Sequence, residues 1–313
     1  MKKELCLVAA VVSILLVTSG CTIGAAKTRE QGAEDTRTGT QGLVISFEPN
    51  LPPAKMYDDM PLEVVIKLEN RGTYEVGGVG DKLYISGFDP SIFTGVSIFG
   101  EQIPQLEGTS YGFAPQDAVS FTATIRDLGS LNINKYATRV QATACYGYKT
   151  VASANVCIDP DPYSIAARTK ACTPQNVGLG SGQGAPISVS NIQLDPSKGR
   201  TRFQITISNA GGGDVFKPGA AYLSKCSPYS AEGLRYNEFN YIHLDDVSVL
   251  GRSILSSCQP GPDILITNSR ATIYCELSNI AAGSPVTTPL TVVLSYGYTS
   301  TIFRDVTVLA VNV

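Results

Sequence analysis

The chain contains 313 residues, of which 43% are hydrophobic and 16% are charged, and its formal net charge at pH 7 is −3. Because about 25% of the residues in an average protein are charged, this chain has a low charge density and a nearly neutral balance. That composition argues against nucleic-acid binding, which requires a basic surface. It also argues against intrinsic disorder, which requires few hydrophobic residues.

The N-terminus has the layout of an export signal. Two lysines precede an apolar run, and small residues lead to Cys21, as is typical of a secretory signal peptide. The sequence Thr18-Ser19-Gly20-Cys21 resembles a lipobox, in which cleavage precedes the cysteine and its sulfur carries diacylglycerol, although Thr18 stands where a large aliphatic residue is usual. We therefore expect residues 1–20 to be a signal peptide and Cys21 to be the lipid attachment site.

An uncleaved membrane anchor is the alternative for this segment. Residues 5–26 carry no charge and are numerous enough to cross about 30 Å of hydrocarbon as a helix, but their second half is poorly apolar. Both interpretations place the rest of the chain on the extracytoplasmic face of the membrane. Residues 21–40 are polar, with balanced charges, and are predicted to form a disordered tether because they bury too little surface to offset their ordering entropy.

The remainder of the chain repeats itself. Four short motifs occur twice in the same order and at nearly constant spacing: 66–72 with 205–211, 83–86 with 221–224, 123–125 with 271–273, and 146–148 with 296–298. The spacing lengthens between the second and third motifs, which predicts an insertion in the second copy within 227–268. We expect two related domains, at 41–165 and 183–313, joined by a linker at 166–182.

Both copies show the pattern of β-strands. Apolar and other residues alternate in 62–68 and in 290–298, and a period of two with one apolar face is typical of antiparallel strands. Further strands are predicted in the first copy at 43–48, 82–86, 95–99, 118–126, 138–148 and 151–158, which with 62–68 makes seven in that copy. No segment after the tether has a helical period. Seven strands separated by turns are typical of a two-sheet sandwich, so the predicted fold class is all-β, with two tandem immunoglobulin-like sandwiches.

The strand endings carry a family resemblance. A strand that ends in Asn-x-Gly and is followed shortly by valine, as in 66–72 with Val76 and in 205–211 with Val215, resembles the CARDB-type immunoglobulin-like module of bacterial and archaeal surface proteins. Together with the lipobox and the polar tether, it makes the chain similar to archaeal surface lipoproteins whose function is unknown. The resemblance covers most of 41–313. It implies a β-sandwich at the cell surface, and it implies no reaction.

Six cysteines remain once Cys6, in the signal, and the lipid site are set aside: Cys145, Cys157, Cys172, Cys226, Cys258 and Cys275. An even number in an exported chain indicates up to three disulfides. A structural zinc site would need cysteine pairs two to four residues apart, and the sequence has none.

One disulfide pairing follows from the predicted strands. If 138–148 and 151–158 form a hairpin, Cys145 lies opposite Cys157 within reach of a disulfide, and the second copy lacks both cysteines at the matching positions. The pair Cys258–Cys275 flanks a Pro-Gly turn and a strand. The pair Cys172–Cys226 follows only by elimination.

Candidate chemical groups are few. His243 is the only histidine and lies close to Asp245 and Asp246, but no Gly-x-Ser-x-Gly nucleophile motif accompanies it. Asp159 and Asp161 are weak calcium candidates, because they lack the ligand density of a calcium loop. We interpret all five as structural or solvated residues, and we predict no catalytic residue, no resident metal and no cofactor.

Tyrosines recur at four matching positions, Tyr146, Tyr148, Tyr296 and Tyr298. They are candidates for a sugar-binding platform, but their alternation with apolar residues predicts core positions. The expected function is that of a non-enzymatic, membrane-anchored surface protein that binds a protein or an envelope polymer, and not nucleic acid. The alternatives are a subunit of an extracellular filament or lattice, and a solute-binding or hydrolytic lipoprotein.

Overall fold

The computed structural model describes residues 37–109, 112–164, 170–180 and 182–311. The predicted signal peptide, Cys21 and most of the predicted tether lie outside the described residues. The described residues form one compact unit. The described residues are almost entirely strands and connections, which confirms the all-β prediction.

The strands are β1 (Leu43–Phe47), β2 (Lys55–Tyr57), β3 (Leu62–Asn70), β4 (Lys82–Ser86), β5 (Phe93–Thr94), β6 (Glu101–Gln102), β7 (Gln116–Ile125), β8 (Lys135–Ile158), β9 (Val177–Gly178), β10 (Ile187–Ser197), β11 (Arg200–Asn209), β12 (Asp214–Phe216), β13 (Tyr241–Val249), β14 (Arg252–Ser253), β15 (Asp263–Leu265), β16 (Arg270–Leu277) and β17 (Val286–Leu309). A short helix, α1 (Ala220–Lys225), and two 3-10 turns, Gly129–Leu131 and Leu255–Ser257, complete the elements.

The described residues form three sheets. The first repeat supplies a four-stranded sheet in the order β1-β3-β7-β5, and the second repeat, with β9 of the connecting segment, supplies another in the order β16-β11-β10-β9. The third is a nine-stranded central sheet that contains strands of both repeats, in the order β14-β13-β17-β8-β4-β6, with β2, β12 and β15 paired onto it. The buried apolar side chains of all three sheets form one core. The two repeats are therefore joined by a common sheet as well as by the connecting segment.

The centre of that common sheet is the pairing of β8 with β17. Both strands are 24 residues long and pair antiparallel over their full length. The prediction of two strands, 138–148 and 151–158, is wrong because β8 continues through Lys149 and Thr150 without a turn. Neither residue favours a reversal as glycine or proline would, and the alternation of buried side chains continues across them.

This strand also overturns two of the predicted disulfides. Cys145 and Cys157 both lie in β8, where each residue adds about 3.3 Å of length, so they are too far apart to pair. The observed bridges are Cys145–Cys226 and Cys157–Cys172, while Cys258–Cys275 forms as the sequence indicated. The elimination pair Cys172–Cys226 is also wrong, because Cys172 pairs with Cys157 and Cys226 pairs with Cys145. Cys172 therefore ties the connecting segment to the first repeat.

The register of β8 against β17 creates an internal pseudo-two-fold axis. Gly147 lies opposite Gly297, and the flanking tyrosines pair across the two strands, Tyr146 with Tyr298 and Tyr148 with Tyr296. Since 146–148 and 296–298 are matching motifs of the two repeats, the repeats face each other as two subunits do in a two-fold symmetric dimer, within a single chain.

The Asn-x-Gly motif of the first repeat connects two sheets. Asn70 ends β3 and is fully buried. Its Nδ2 donates to the carbonyl oxygen of Tyr74 at 2.7 Å, and its Oδ1 accepts from the hydroxyl of Tyr148 at 3.4 Å. The same hydroxyl accepts from the backbone N–H of Tyr74 at 3.2 Å. A buried polar corner therefore fixes the four-stranded sheet to the central one.

The second repeat builds the same corner with matching residues. Asn209 ends β11, and its Nδ2 donates to the carbonyl oxygen of Gly213 at 2.9 Å. The hydroxyl of Tyr298 donates to Asn209 Oδ1 at 3.1 Å and accepts from the N–H of Gly213 at 2.8 Å. Two motifs that are far apart in the sequence of each repeat thus meet in the same way, which supports the duplication.

Symmetry breaks at the strand that flanks this central pair. In the first repeat β4 pairs with residues 141–145 of β8. The matching residues of β17, 291–295, pair with β13 instead. The predicted match of 83–86 with 221–224 is therefore wrong: the first peptide is strand β4, whereas the second lies in helix α1. The second peptide, Ala-Tyr-Leu-Ser at 221–224, contains the good helix formers alanine and leucine. The insertion in the second repeat thus begins before residue 227.

Two further expectations about local structure are corrected. Helix α1 is a helical element after the tether, where none was predicted. Residues 95–99 do not form a strand, and only Phe93–Thr94 pairs there. Gly95 and Gly100 both have positive φ angles, 90° and 64°, so the backbone turns instead of extending.

The inserted segment lies against the first repeat. Cys226 forms its disulfide with Cys145 of β8, and the hydroxyl of Tyr229 donates to the carbonyl oxygen of Ile85 in β4 at 2.5 Å. Leu223 of α1 is buried. The segment that interrupts the second repeat therefore binds the two repeats together.

The two central glycines differ in their surroundings. A Cβ atom on Gly297 would overlap the ring of Phe216, whereas a Cβ atom on Gly147 would meet only Asp81 Oδ1, at 3.9 Å. We expect Gly297→Ala to lower the free energy of unfolding by about 1–3 kcal/mol through overpacking. We expect Gly147→Ala to change it by no more than about 1 kcal/mol, with any gain coming from the lower entropy of alanine. Urea unfolding of both variants measures the difference, and equal losses would contradict the asymmetry.

Candidate functional site

A cleft of about 350 Å³ opens beside the pseudo-two-fold axis. It is lined by the 74–81 loop and Gln105 of the first repeat, by the centres of β8 and β17, and by residues 218–223 at the start of the insertion. We call it the axial cleft. It lies where the two repeats and the inserted segment meet, and interfaces between units are a common place for ligand pockets.

The axial cleft exists because one aromatic ring is present in only one repeat. In the second repeat Phe216 pairs with Gly297 and is fully buried. Val76 corresponds to Val215, so Gly77 stands at the place of Phe216. Gly77 has a φ of 96°, a conformation that suits glycine. The chain thus turns away from β8, and among the described residues no side chain covers Gly147 as Phe216 covers Gly297.

A buried carboxylate fixes this loop to the sheet. Asp81 Oδ1 accepts from the N–H of Gly147 at 2.8 Å, and Oδ2 accepts from the N–H groups of Gly77 and Gly78 at 2.9 and 3.0 Å. Burial raises the pKa of Asp81, and the three backbone hydrogen bonds oppose that rise. Asp81 therefore replaces the direct strand pairing of the second repeat, and it holds the loop at the edge of the cleft.

The lining combines apolar walls with three charged side chains, the buried Asp81 and, at the rim, Glu75 and Lys149. Val76 and Leu223 are buried wall residues. Lys149 is exposed, and its Nζ lies 5.7 Å from the centre of the Tyr74 ring. Glu75 is also exposed. The cleft therefore has glycine backbone and apolar side chains below a polar rim.

The three residues of the hydrolytic hypothesis, His243, Asp245 and Asp246, each form a hydrogen bond with a different residue and not with one another. His243 Nδ1 lies 2.9 Å from Asp263 Oδ1, while the hydroxyl of Ser295 donates to Asp245 Oδ1 at 2.8 Å. The hydroxyl of Ser253 donates to Asp246 Oδ1 at 2.5 Å. A serine triad requires the hydroxyl to donate to the imidazole, and Ser295 donates to a carboxylate instead.

Asp263 is the partner of His243 that sequence reasoning missed. It faces His243 because β15 pairs with β13, a contact for which the sequence carries no local signal. The hydrogen bond from His243, and then that from Lys217 at 2.9 Å, lowers the pKa of Asp263. The resulting cluster of Lys217, Asp263 and His243 is an ion-paired network that connects β13 with the segment after β12.

The calcium candidates are held by a lysine. Lys170 Nζ lies 2.6 Å from Asp159 Oδ2, and it also donates to the carbonyl oxygens of Asp161 and Pro162 at 3.2 and 2.9 Å. The ammonium group thus takes the oxygen ligands that a cation would use. Nowhere in the described ranges do three acidic, histidine or cysteine side chains converge in a metal-binding arrangement.

The four matching tyrosines lie in the core, as their alternation predicted. All are at least 98% buried, and their rings contact one another across β8 and β17 with centroid distances of 5.9–6.3 Å. Burial raises the pKa of Tyr298 to about 12 and raises the pKa of Tyr146, Tyr148 and Tyr296 still further. These residues support the base of the axial cleft from the core side, and they present no sugar platform.

Comparisons with known proteins give no assignment. No family model matches the chain, and no curated protein matches it. Among the helices of the described residues, none has the length and apolar character needed to span a bilayer.

The buried tyrosines make the fold sensitive to alkali. An unfolded tyrosine has a pKa of about 10, so above that pH the folded state binds more protons than the unfolded state, and the free energy of unfolding falls as pH rises. We expect the buried tyrosines to ionise only with unfolding, and Tyr298→Phe to reduce the steepness of the fall. Tyrosinate absorbance and circular dichroism, followed together against pH, measure this. Ionisation of all 15 tyrosines near their ordinary pKa in a folded protein would contradict it.

Proposed function

We propose that this protein is an exported, membrane-anchored surface protein that binds a partner and catalyses no reaction. The observation that carries the proposal is that all six cysteines among the described residues form disulfides. Such bonds persist in oxidising, extracytoplasmic compartments. The lipobox-like sequence at Cys21 supports lipid anchoring, and the sandwich architecture supports the resemblance to CARDB-type surface modules.

The chemistry near the axial cleft favours recognition. Asp81, Asp263 and Ser295 are engaged in bonds that hold the backbone or neighbouring strands in place. Such groups stabilise a rigid site, and a rigid site lowers the entropic cost of binding. The glycine base and apolar walls supply shape, and Lys149 and Glu75 supply charges at the rim.

The proposal is tested on the full chain in cells. We expect the wild-type protein to fractionate with membranes, to be digested by protease added to intact cells, and to yield the linked peptides Cys145–Cys226 and Cys157–Cys172 on a non-reducing map. Cys21→Ser is expected to block lipidation, and an unchanged mass and membrane association would instead support an uncleaved anchor. Protection from external protease together with alkylatable thiols would overturn the proposal.

A second candidate function, assembly into a filament or lattice, is favoured by an asymmetric strand edge. On the side of β7 away from β3, the described residues pair only at Thr124 and Ile125, with β5. In the corresponding strand β16, Gln259 pairs with Tyr274 through two hydrogen bonds of 2.8 Å, next to the Cys258–Cys275 bridge. An uncovered edge is able to pair with a strand of another chain.

Assembly through β7 predicts concentration-dependent association that a charge on this edge reduces. Ser120 is exposed in β7, and Ser120→Lys is expected to shift the association to higher concentration because lysine on an edge opposes strand pairing. Thr272→Lys in β16, the corresponding strand of the second repeat, is the matched control. Sedimentation velocity of the oxidised protein measures the effect, and a wild-type monomer at all concentrations would exclude this candidate.

A further inference from the structure

The axial cleft has a counterpart in the same molecule that shows what fits it. The pseudo-two-fold axis relates the surface over Gly147 to the surface over Gly297. Over Gly297 lies the ring of Phe216, so close that a Cβ atom on this glycine would overlap it. Over Gly147 the described residues leave room, and Gly147 is partly exposed where Gly297 is buried. The first repeat thus has the base of an aromatic site without the aromatic ring.

We propose that the axial cleft binds an aromatic side chain of a partner polypeptide, which takes the place that Phe216 occupies in the second repeat. The inference deepens the proposed binding function, on which it rests. The cleft volume of about 350 Å³ falls within the range of ligand pockets, about 300–1,000 Å³, so it accepts a ring as large as indole.

The lining residues match an aromatic guest. Backbone at Gly147 and Gly78 provides a flat surface for the face of a ring, and Val76 and Leu223 provide apolar contacts at its edge. Lys149 already places its ammonium near the Tyr74 ring, and a guest ring in the cleft would add a second face within its range. A cation–π contact of this kind favours an aromatic guest over an aliphatic one.

A polypeptide source is favoured over a free aromatic molecule by the way Phe216 is held. Its ring reaches the glycine because its backbone forms part of a strand, β12, which pairs beside β17. The corresponding backbone in the first repeat turns away at Gly77. A partner therefore needs both a ring and a chain that carries the ring past the rim, where Glu75 and Lys149 are exposed.

The absence of tryptophan from the chain gives a sensitive test. The probe is a capped peptide, acetyl-Gly-Gly-Trp-Gly-Gly-amide, added to the full oxidised protein in detergent micelles while tryptophan fluorescence is recorded. We expect a saturable blue shift that the same peptide with phenylalanine reverses by competition and the peptide with alanine does not. If no saturable shift occurs, the proposal is overturned. Export and anchoring would be unaffected by that result, because the Cys21→Ser experiment tests them separately.

A cleft-filling variant and a matched control make the test specific. Gly147→Val fills the base of the cleft at a position where a Cβ atom has room, and it is expected to weaken probe binding by about tenfold or more, equivalent to about 1.4 kcal/mol. Gly178→Val makes the same change in β9, where nothing lies within 4 Å of the new Cβ atom, and it is expected to leave binding unchanged. Thermal unfolding confirms that both variants fold.

Three results would overturn the assignment. One is equal binding of the probe by the wild type and Gly147→Val, which would place the probe elsewhere, including in the micelle. Another is competition by free L-phenylalanine as strong as that of the peptide, because it would remove the requirement for a polypeptide. The third is binding that Lys149→Gln leaves unaltered and Gly178→Val abolishes, which would move the site to β9.

Discussion

The antiparallel pairing of β8 with β17 is the constraint on which the rest of the molecule depends. Two strands of 24 residues, one from each repeat, form a continuous ladder with Gly147 opposite Gly297. That register places the four matching tyrosines in one buried group, and it places the two repeats about a pseudo-two-fold axis. A shift of either strand by one residue would turn its two tyrosines to the other face of the sheet, so the hydroxyl contacts of Tyr148 with Asn70 and of Tyr298 with Asn209 also fix the register.

The differences between the repeats explain the two surfaces with functional interest. The axial cleft follows from a glycine, Gly77, at the place of Phe216, and from the inserted segment that forms one wall. The uncovered edge of β7 follows from the lack, among the described residues of the first repeat, of a segment like that around Gln259. The two repeats share the same sheet framework. Where they differ, either the backbone is exposed, as at the edge of β7, or space is created, as in the axial cleft.

The sequence was sufficient for the features that have local or periodic signals. Alternating apolar residues predicted the all-β fold and the buried tyrosines, and the Cys258–Cys275 bridge joins segments close in sequence. A period of two does not show where a strand ends, so the continuation of β8 through Lys149 was missed, and with it the partner of Cys145. The cleft depends on the lack of a side chain at Gly77, where the second repeat has Phe216, and on the register between β8 and β17. Neither feature can be recognised from the sequence of one repeat alone.

The Cys145–Cys226 bridge has a consequence for how molecules of this protein interact with each other. Matching strands such as β8 and β17 are equally suited to pair within one chain or between two chains, a situation that permits domain swapping. The bridge links β8 of the first repeat to the insertion of the second, across a sequence separation of 81 residues. Once oxidised, each chain is thereby committed to its own second half, and exchange of repeats between neighbours would first require reduction.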